Sequence, residues 1–197
     1  QDAEGTGRWA PGQAGYRRLL FGLFLAGVAT FAQLYSPQGL LPLVAADLQV
    51  TSHEAALLVS AATAGLALSV IPWAFASDRW GRRRAIALSM VSACVFAVAG
   101  GLATSFPLLL ALRFAEGLAH GGVAALAVAL IVEEVESFAV TLAAGTYIAG
   151  TTLGGLSGRL IAAPIGEAAG WHAGMLTVTG VGVLCVLGFL LVTPQAR

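Results

Sequence analysis

A chain of 197 residues that is 58% hydrophobic and only 10% charged carries too few polar side chains for a water-facing surface, since soluble domains hold roughly 25% charged residues. With formal net charge zero, bulk charge points to no nucleic-acid partner, and a mean hydropathy of +0.86 places the chain in the membrane class. Cys94 and Cys185 each lie inside an apolar run with no second cysteine nearby. They read as small buried hydrophobes, with no disulfide or metal site implied.

Residues 1–16 are polar and glycine-rich and read as a disordered tail. Arg17 and Arg18 precede the first apolar run, residues 19–44, which is long enough to span a bilayer at roughly 20 residues per crossing. Its far half is interrupted by Pro37 and Pro42 and carries Gln33 and Tyr35. After a polar loop at 47–54, Thr51 or Ser52 can cap the second span, with Glu54 in its first turn. That span covers residues 55–76. The third covers 85–103, and a tight turn at 104–107 leads to the fourth, 107–132. Glu133, Glu134 and Glu136 form an acidic loop. The fifth span covers 138–163 and is expected to stop at Pro164. A loop holding Gly166, Glu167 and Gly170 leads to the sixth, 172–192.

The stretch Asp78-Arg79-Trp80-Gly81-Arg82-Arg83-Arg84 concentrates four of the ten arginines between two spans. The positive-inside rule sets it on the cytoplasmic face. Counting crossings from there puts both termini in the cytoplasm. Arg8, Arg17, Arg18 and Arg197 then fall on the same side, and the proposed outer loops hold no arginine. The expected fold is an all-α membrane protein with six transmembrane helices over residues 17–194, multi-pass in the cytoplasmic (inner) membrane.

Two arginines fall within spans. Arg113, Glu116 and His120 occupy positions i, i+3 and i+7 of the fourth span and share one face. At 1.5 Å per residue, Arg113 lies about 9 Å and Glu116 about 14 Å below the outer end. Ionisable groups at that depth face a water-filled cavity or a partner. The functional reading is a proton or substrate coupling site; the plain one is an internal ion pair that fixes packing. Arg159, near the outer end of the fifth span, reads as a snorkelling side chain. Gly150, Gly154 and Gly158 form a bare stripe, with Gly155 beside it, that lets helices approach closely. Gln33 and Tyr35 are candidate cavity-lining groups.

These motifs resemble those of the major facilitator superfamily. Asp78-Arg79-Trp80-Gly81-Arg82-Arg83 is similar to the family's G-x-x-x-D-R-x-G-R-R loop, with Ala74 at the first glycine position. Arg113 and Gly117 resemble the Arg and Gly spaced four apart on its fourth helix, with Glu116 at a position that is often Gln. Gly150 to Gly155 resembles the exporter motif G-P-x-x-G-G, with Thr151 in place of Pro. The run resembles the sugar- and drug-efflux branch.

The resemblance implies the N-terminal six-helix half of a twelve-helix fold, built as a 3+3 inverted repeat. Residues 195–197 would open the central cytoplasmic linker. It implies proton-coupled efflux of a small-molecule substrate, driven by the proton gradient with no cofactor. The partners are the lipid bilayer and a second six-helix half, supplied by a missing C-terminal half or by a second copy. It implies that Asp78, Arg79, Gly81, Arg82 and Arg83, with Glu133 or Glu134 paired to Arg82 or Arg83, form a gating latch. Arg113, Glu116 and His120 would couple protonation to conformation. Two other readings stand beside it: a non-transporting membrane scaffold, and a rhomboid-like intramembrane protease using Ser157 of Gly155-Leu156-Ser157-Gly158 with His172 as base.

Overall fold

The computed structural model describes residues 8–194. Its helices are α1 Ala14–Tyr35, α2 Leu41–Asp47, α3 Ser52–Trp80, α4 Arg82–Gly101, α5 Phe106–Glu134, α6 Val140–Ala169 and α7 Trp171–Val192. Among the described residues six segments are long and apolar enough to cross a membrane; short α2 is outside that set.

The helix ends follow from local chemistry. α1 stops at Tyr35 because Pro37 cannot donate back to the carbonyl of Gln33; a 3-10 turn, Ser36–Gly39, follows. Pro42 sits in the first turn of α2, where a missing N–H costs nothing. Thr51, of the two expected caps, starts α3. Its hydroxyl accepts from the Glu54 N–H at 3.2 Å, and the Glu54 carboxylate accepts from the Thr51 N–H at 2.7 Å, closing a capping box.

Several boundaries differ from expectation: α1 starts at Ala14 and ends at Tyr35, Arg82 opens α4, and Glu133 and Glu134 close α5 instead of standing in a loop. α6 does not stop at Pro164 but runs through it to Ala169, so Gly166 and Glu167 are helical. α3 likewise passes through Pro72 and continues to Trp80, so Asp78 and Arg79 belong to its last turn. In both places the reversal is made by a single glycine with positive φ. Gly81 has φ 83° and ψ 146°, and Gly170 has φ 87° and ψ 156°. An L side chain is strained there. The two glycines join the second to the third span of each three-helix set in nearly the same conformation, as an inverted repeat requires.

The packing repeats in the same way. α1 lies along α6, and α3 lies along α5, each as a close seam. A Cβ on Gly154 would come within 2.8 Å of the Val28 Cα, and one on Gly150 within 3.1 Å of the Phe24 Cα. On the other seam, a Cβ on Gly117 would come within 2.9 Å of the Ala62 Cα. Bare backbone facing backbone allows this approach.

Two apolar clusters fill the bundle. One, including Leu19, Leu23, Ile86, Leu130 and Phe189, lies toward the arginine-rich end. The other, including Leu40, Val44, Leu58, Leu109 and Trp171, lies toward the opposite end. The disordered tail expected over residues 1–16 does not hold for its described part, where α1 already begins at Ala14. Residues 1–7 lie outside the described residues, as do 195–197. Trp9 donates its N–H to the Glu134 carbonyl at 2.6 Å and accepts from the Glu136 N–H at 3.0 Å, and Tyr16 is buried in α1.

Candidate functional site

Between the two apolar clusters lies a buried chain of charge. Arg113, Glu116 and His120 project from one face of α5 and are each 1% exposed. Arg113 Nη1 donates to Glu116 Oε2 at 2.6 Å. The guanidinium also reaches α1, donating from Nη1 to the Gln33 carbonyl at 3.2 Å and from Nη2 to the Leu34 carbonyl at 2.8 Å. The Gln33 carbonyl is the one left without a backbone donor by Pro37, and Arg113 shares it with the Ser36 hydroxyl, which donates to it at 3.1 Å. The negative end of the α1 dipole further favours a cation there.

The other side of Glu116 is looser. His120 Nε2 stands 3.4 Å from Glu116 Oε1, without hydrogen-bond geometry. His120 Nδ1, Arg113 Nε and Gln33 Oε1 are buried with no hydrogen-bond partner among the described residues. Gln33, expected among the cavity-lining groups, turns inward within this half. Its amide points into the bundle, donating to Cys94 Sγ at 3.5 Å, and its side chain is 2% exposed. Both cysteines are free and buried, as expected.

Sequence reasoning missed the residues that hold α5 beside this centre. Ser89 of α4 inserts its hydroxyl into the α5 ladder one turn from His120. It donates to the Ala119 carbonyl at 2.6 Å and accepts from the Val123 N–H at 3.1 Å. Gly122 leaves the room, since a Cβ there would stand 2.5 Å from the Ser89 Cβ. Trp73 of α3 donates to the Leu118 carbonyl at 2.8 Å. The available signal was the Gly121-Gly122 pair, which nothing else in the span explained.

At the arginine-rich end, Arg82 is the hub. It meets Asp78 at 3.2 Å and Glu133 at 3.1 Å, and it also donates to Ser77. Arg83 pairs with neither Glu133 nor Glu134. It donates to the Thr193 carbonyl at 3.1 Å and the Leu190 carbonyl at 3.0 Å, capping α7. Arg79 is exposed and makes no ion pair among the described residues.

Arg159, expected to snorkel, meets an aromatic ring. Its guanidinium lies over the Tyr35 ring, 5.0 Å from the centroid. Both border an open groove of about 370 Å³ between α1 and α6, with Phe31, Thr151, Thr152, Gly155 and Leu156. A second groove, between α4 and α7, is lined almost wholly by apolar atoms from Val91, Val95, Val98 and Leu187 among others. Among the described residues no group of three or more His, Cys, Asp or Glu side chains is placed to hold a metal.

Ser157 and His172 are committed separately. The Ser157 hydroxyl donates to the Gly154 carbonyl at 3.1 Å. His172 stacks on Trp171 and lies 3.2 Å from the Ala103 carbonyl. Ser157 and His172 form no pair with each other.

This geometry defines a multi-pass membrane bundle with buried charge at its centre. The Major Facilitator Superfamily profile matches residues 19–197, and the chain belongs to that family. Membership removes the protease reading. The chain is 33% identical over 182 residues to the MFS-type transporter YybF of Bacillus subtilis, covering 92% of this chain and 45% of that protein. It is 30% identical to the inner membrane transport protein YnfM of Escherichia coli over 92% of this chain and 44% of that protein. It is also 30% identical to a chloramphenicol resistance protein of Streptomyces lividans, over 89% of this chain and 45% of that protein. In fold it matches an inward-facing bacterial homolog of the human lysosomal transporter Spinster with a TM-score of 0.80 and 22% identity. That match covers 94% of this chain and 46% of the other. The chain thus spans about half the length of these relatives.

Proposed function

We propose that this chain is the first half of a secondary active transporter in the cytoplasmic membrane, exporting a small molecule in exchange for protons. The observation that carries this reading is the fully buried Arg113–Glu116–His120 chain, tied to the broken end of α1. Arg113, Glu116 and His120 share one buried site inside a span, a placement that is costly and that marks functional rather than merely structural residues, which favours a centre that changes state over a scaffold.

The coupling follows from charge. With Glu116 ionised, the Arg113 guanidinium divides itself between the carboxylate and the Gln33 and Leu34 carbonyls. A proton on Glu116 removes the anion, and Arg113 is left to the α1 carbonyls or to an incoming anion. α1 and α5 therefore feel protonation directly. His120, across from Oε1, is the neighbouring proton acceptor. At the cytoplasmic end, the Arg82 contacts to Asp78 and Glu133 tie α3 and α4 to the end of α5 and serve as the latch. They are solvent-exposed pairs of the kind worth about 0.2–1 kcal/mol each, weak enough to open in every cycle. The second six-helix half closes the cavity.

Everted membrane vesicles from cells making the complete transporter test this. An acid-interior gradient is set up, and a panel of compounds that includes chloramphenicol is added. At least one compound should collapse the gradient with the wild-type protein and none with Glu116→Gln. Equal collapse with E116Q removes Glu116 from the mechanism.

A further inference from the structure

We infer that the groove between α1 and α6 is a binding site for a small organic carboxylate with a flat apolar body, and that Arg159 is its anchor. The inference deepens the transporter reading and rests on it in one respect, that this face borders an aqueous path rather than lipid.

Depth is the first argument. Arg113 bonds the carbonyls of residues 33 and 34, and Arg159 stacks on Tyr35. The two arginines therefore sit at the same level, on opposite sides of the end of α1, well inside the span. A side chain on a helix leans toward the helix N-terminus. For α6 that is the arginine-rich end, so Arg159 leans deeper and away from the nearer surface. Snorkelling outward would require the opposite direction.

Charge is the second. Arg113 has Glu116; Arg159 has no carboxylate within ion-pair distance among the described residues, only an aromatic face. A guanidinium at that depth is costly when it meets hydrocarbon. Its fork is built to take a carboxylate through two parallel N–H bonds.

The lining is the third. Much of the exposed α6 surface is aliphatic, including Leu142, Ile148, Leu153 and Leu160, with Thr141 and Glu167 exposed toward its two ends. The groove places polar groups together well inside the helix: Thr151 and Thr152 beside Arg159, with Tyr35 opposite. Both threonine hydroxyls already donate to the Ile148 carbonyl, at 2.7 and 3.1 Å, so toward a ligand they present acceptor lone pairs. Phe31 and Tyr35 supply aromatic surface, and Gly155 keeps the floor low. A volume of about 370 Å³ suits one small molecule, at the lower end of the roughly 300–1,000 Å³ of ligand pockets. The α4–α7 groove, with almost no polar lining, marks what a lipid-type surface looks like on the same bundle.

The test uses the purified complete transporter in detergent, with benzoate as probe and benzamide as its neutral match, read by titration calorimetry. Benzoate should bind at least about tenfold more tightly than benzamide, the size expected for charge-assisted bonds. Arg159→Gln should bring benzoate down to the benzamide level, with the unfolding temperature of each sample recorded alongside. If R159Q does not fold, Arg159→Lys replaces it; keeping the charge but not the fork, it should weaken benzoate and leave benzamide unchanged. Equal binding of the two probes, no binding of benzoate, or unchanged benzoate affinity in the variant overturns the inference. The second and third results are those expected if Arg159 is instead paired with an acidic side chain of the complete chain. No gradient is present, so failure of proton coupling in vesicles and failure of this site are read separately.

Discussion

Replacing Gly154 by Ala adds one methyl group to the middle of the α1–α6 seam. Its Cβ would stand 2.5 Å from the Val28 carbonyl oxygen, 2.8 Å from its Cα and 3.0 Å from its carbonyl carbon. All three are backbone atoms, so no rotamer change relieves the clash. Reaching ordinary contact requires the helices to part by roughly 0.7 Å, and a gap of that size forfeits a quarter to a half of the dispersion energy of facing atoms. The same stripe continues at Gly150 and Gly158, so the loss spreads along the seam. Overpacking of this kind costs about 1–3 kcal/mol, and the backbone obstacle puts G154A near the upper end. Helix propensity works the other way, by up to about 1 kcal/mol for Gly to Ala, leaving a net loss of about 2 kcal/mol. Gly145 is the control on the same helix, because a Cβ there meets nothing within 4 Å. G145A should be neutral or slightly stabilising. The assay is equilibrium unfolding of the complete protein in mixed micelles, titrated with SDS and followed by far-UV circular dichroism. If G154A and G145A unfold at the same SDS fraction, the seam is not as close as described.

Other consequences can be checked together. Ser89→Ala removes both hydrogen bonds into the α5 ladder and should destabilise by about 1–2 kcal/mol, in the same SDS titration; a smaller effect than G145A would contradict the insertion. Pro37→Ala restores an amide that competes with Arg113 for the Gln33 carbonyl. Hydrogen exchange should find that new amide protected, and an amide exchanging at the rate of unstructured peptide would show that α1 does not re-form across the break. Arg82→Gln removes two exposed ion pairs and should cost less than about 2 kcal/mol in stability, yet alter the rate of opening at the cytoplasmic end, read by cysteine accessibility in vesicles. A loss of several kcal/mol would make Arg82 a structural residue rather than a latch.

The spans were legible because each is a run of apolar residues longer than a bilayer needs, and no soluble alternative fits them. Arg113, Glu116 and His120 were legible as a group because helical spacing alone puts them on one face. What spacing on one helix does not contain is the neighbour. The Gln33 and Leu34 carbonyls became ligands of Arg113 only through the packing of α1 against α5, and the Ser89 insertion depends on α4 lying over Gly122. The Arg159 partner was hidden for the same reason, since only the fold brings Tyr35 beneath it. Pro164 was overread: a proline removes one donor, and the rest of the α6 ladder carries the helix past it, as Pro72 is carried in α3. The pairing of Arg82 with Glu133 came close to expectation, whereas Arg83 turned instead to the α7 carbonyls. Those acceptors exist at every helix end and are invisible in a search for acidic partners.

The most direct test of the central claim is a count of protons. The purified complete transporter is placed in weakly buffered detergent near neutral pH, and the proton change on adding a compound that collapses the vesicle gradient is recorded for wild type and E116Q. If the Arg113–Glu116–His120 centre couples binding to protonation, the wild type releases or takes up about one proton per molecule bound, and E116Q binds with none. An equal proton change in E116Q would contradict the account, and the buried charges would then serve only to join α1 to α5.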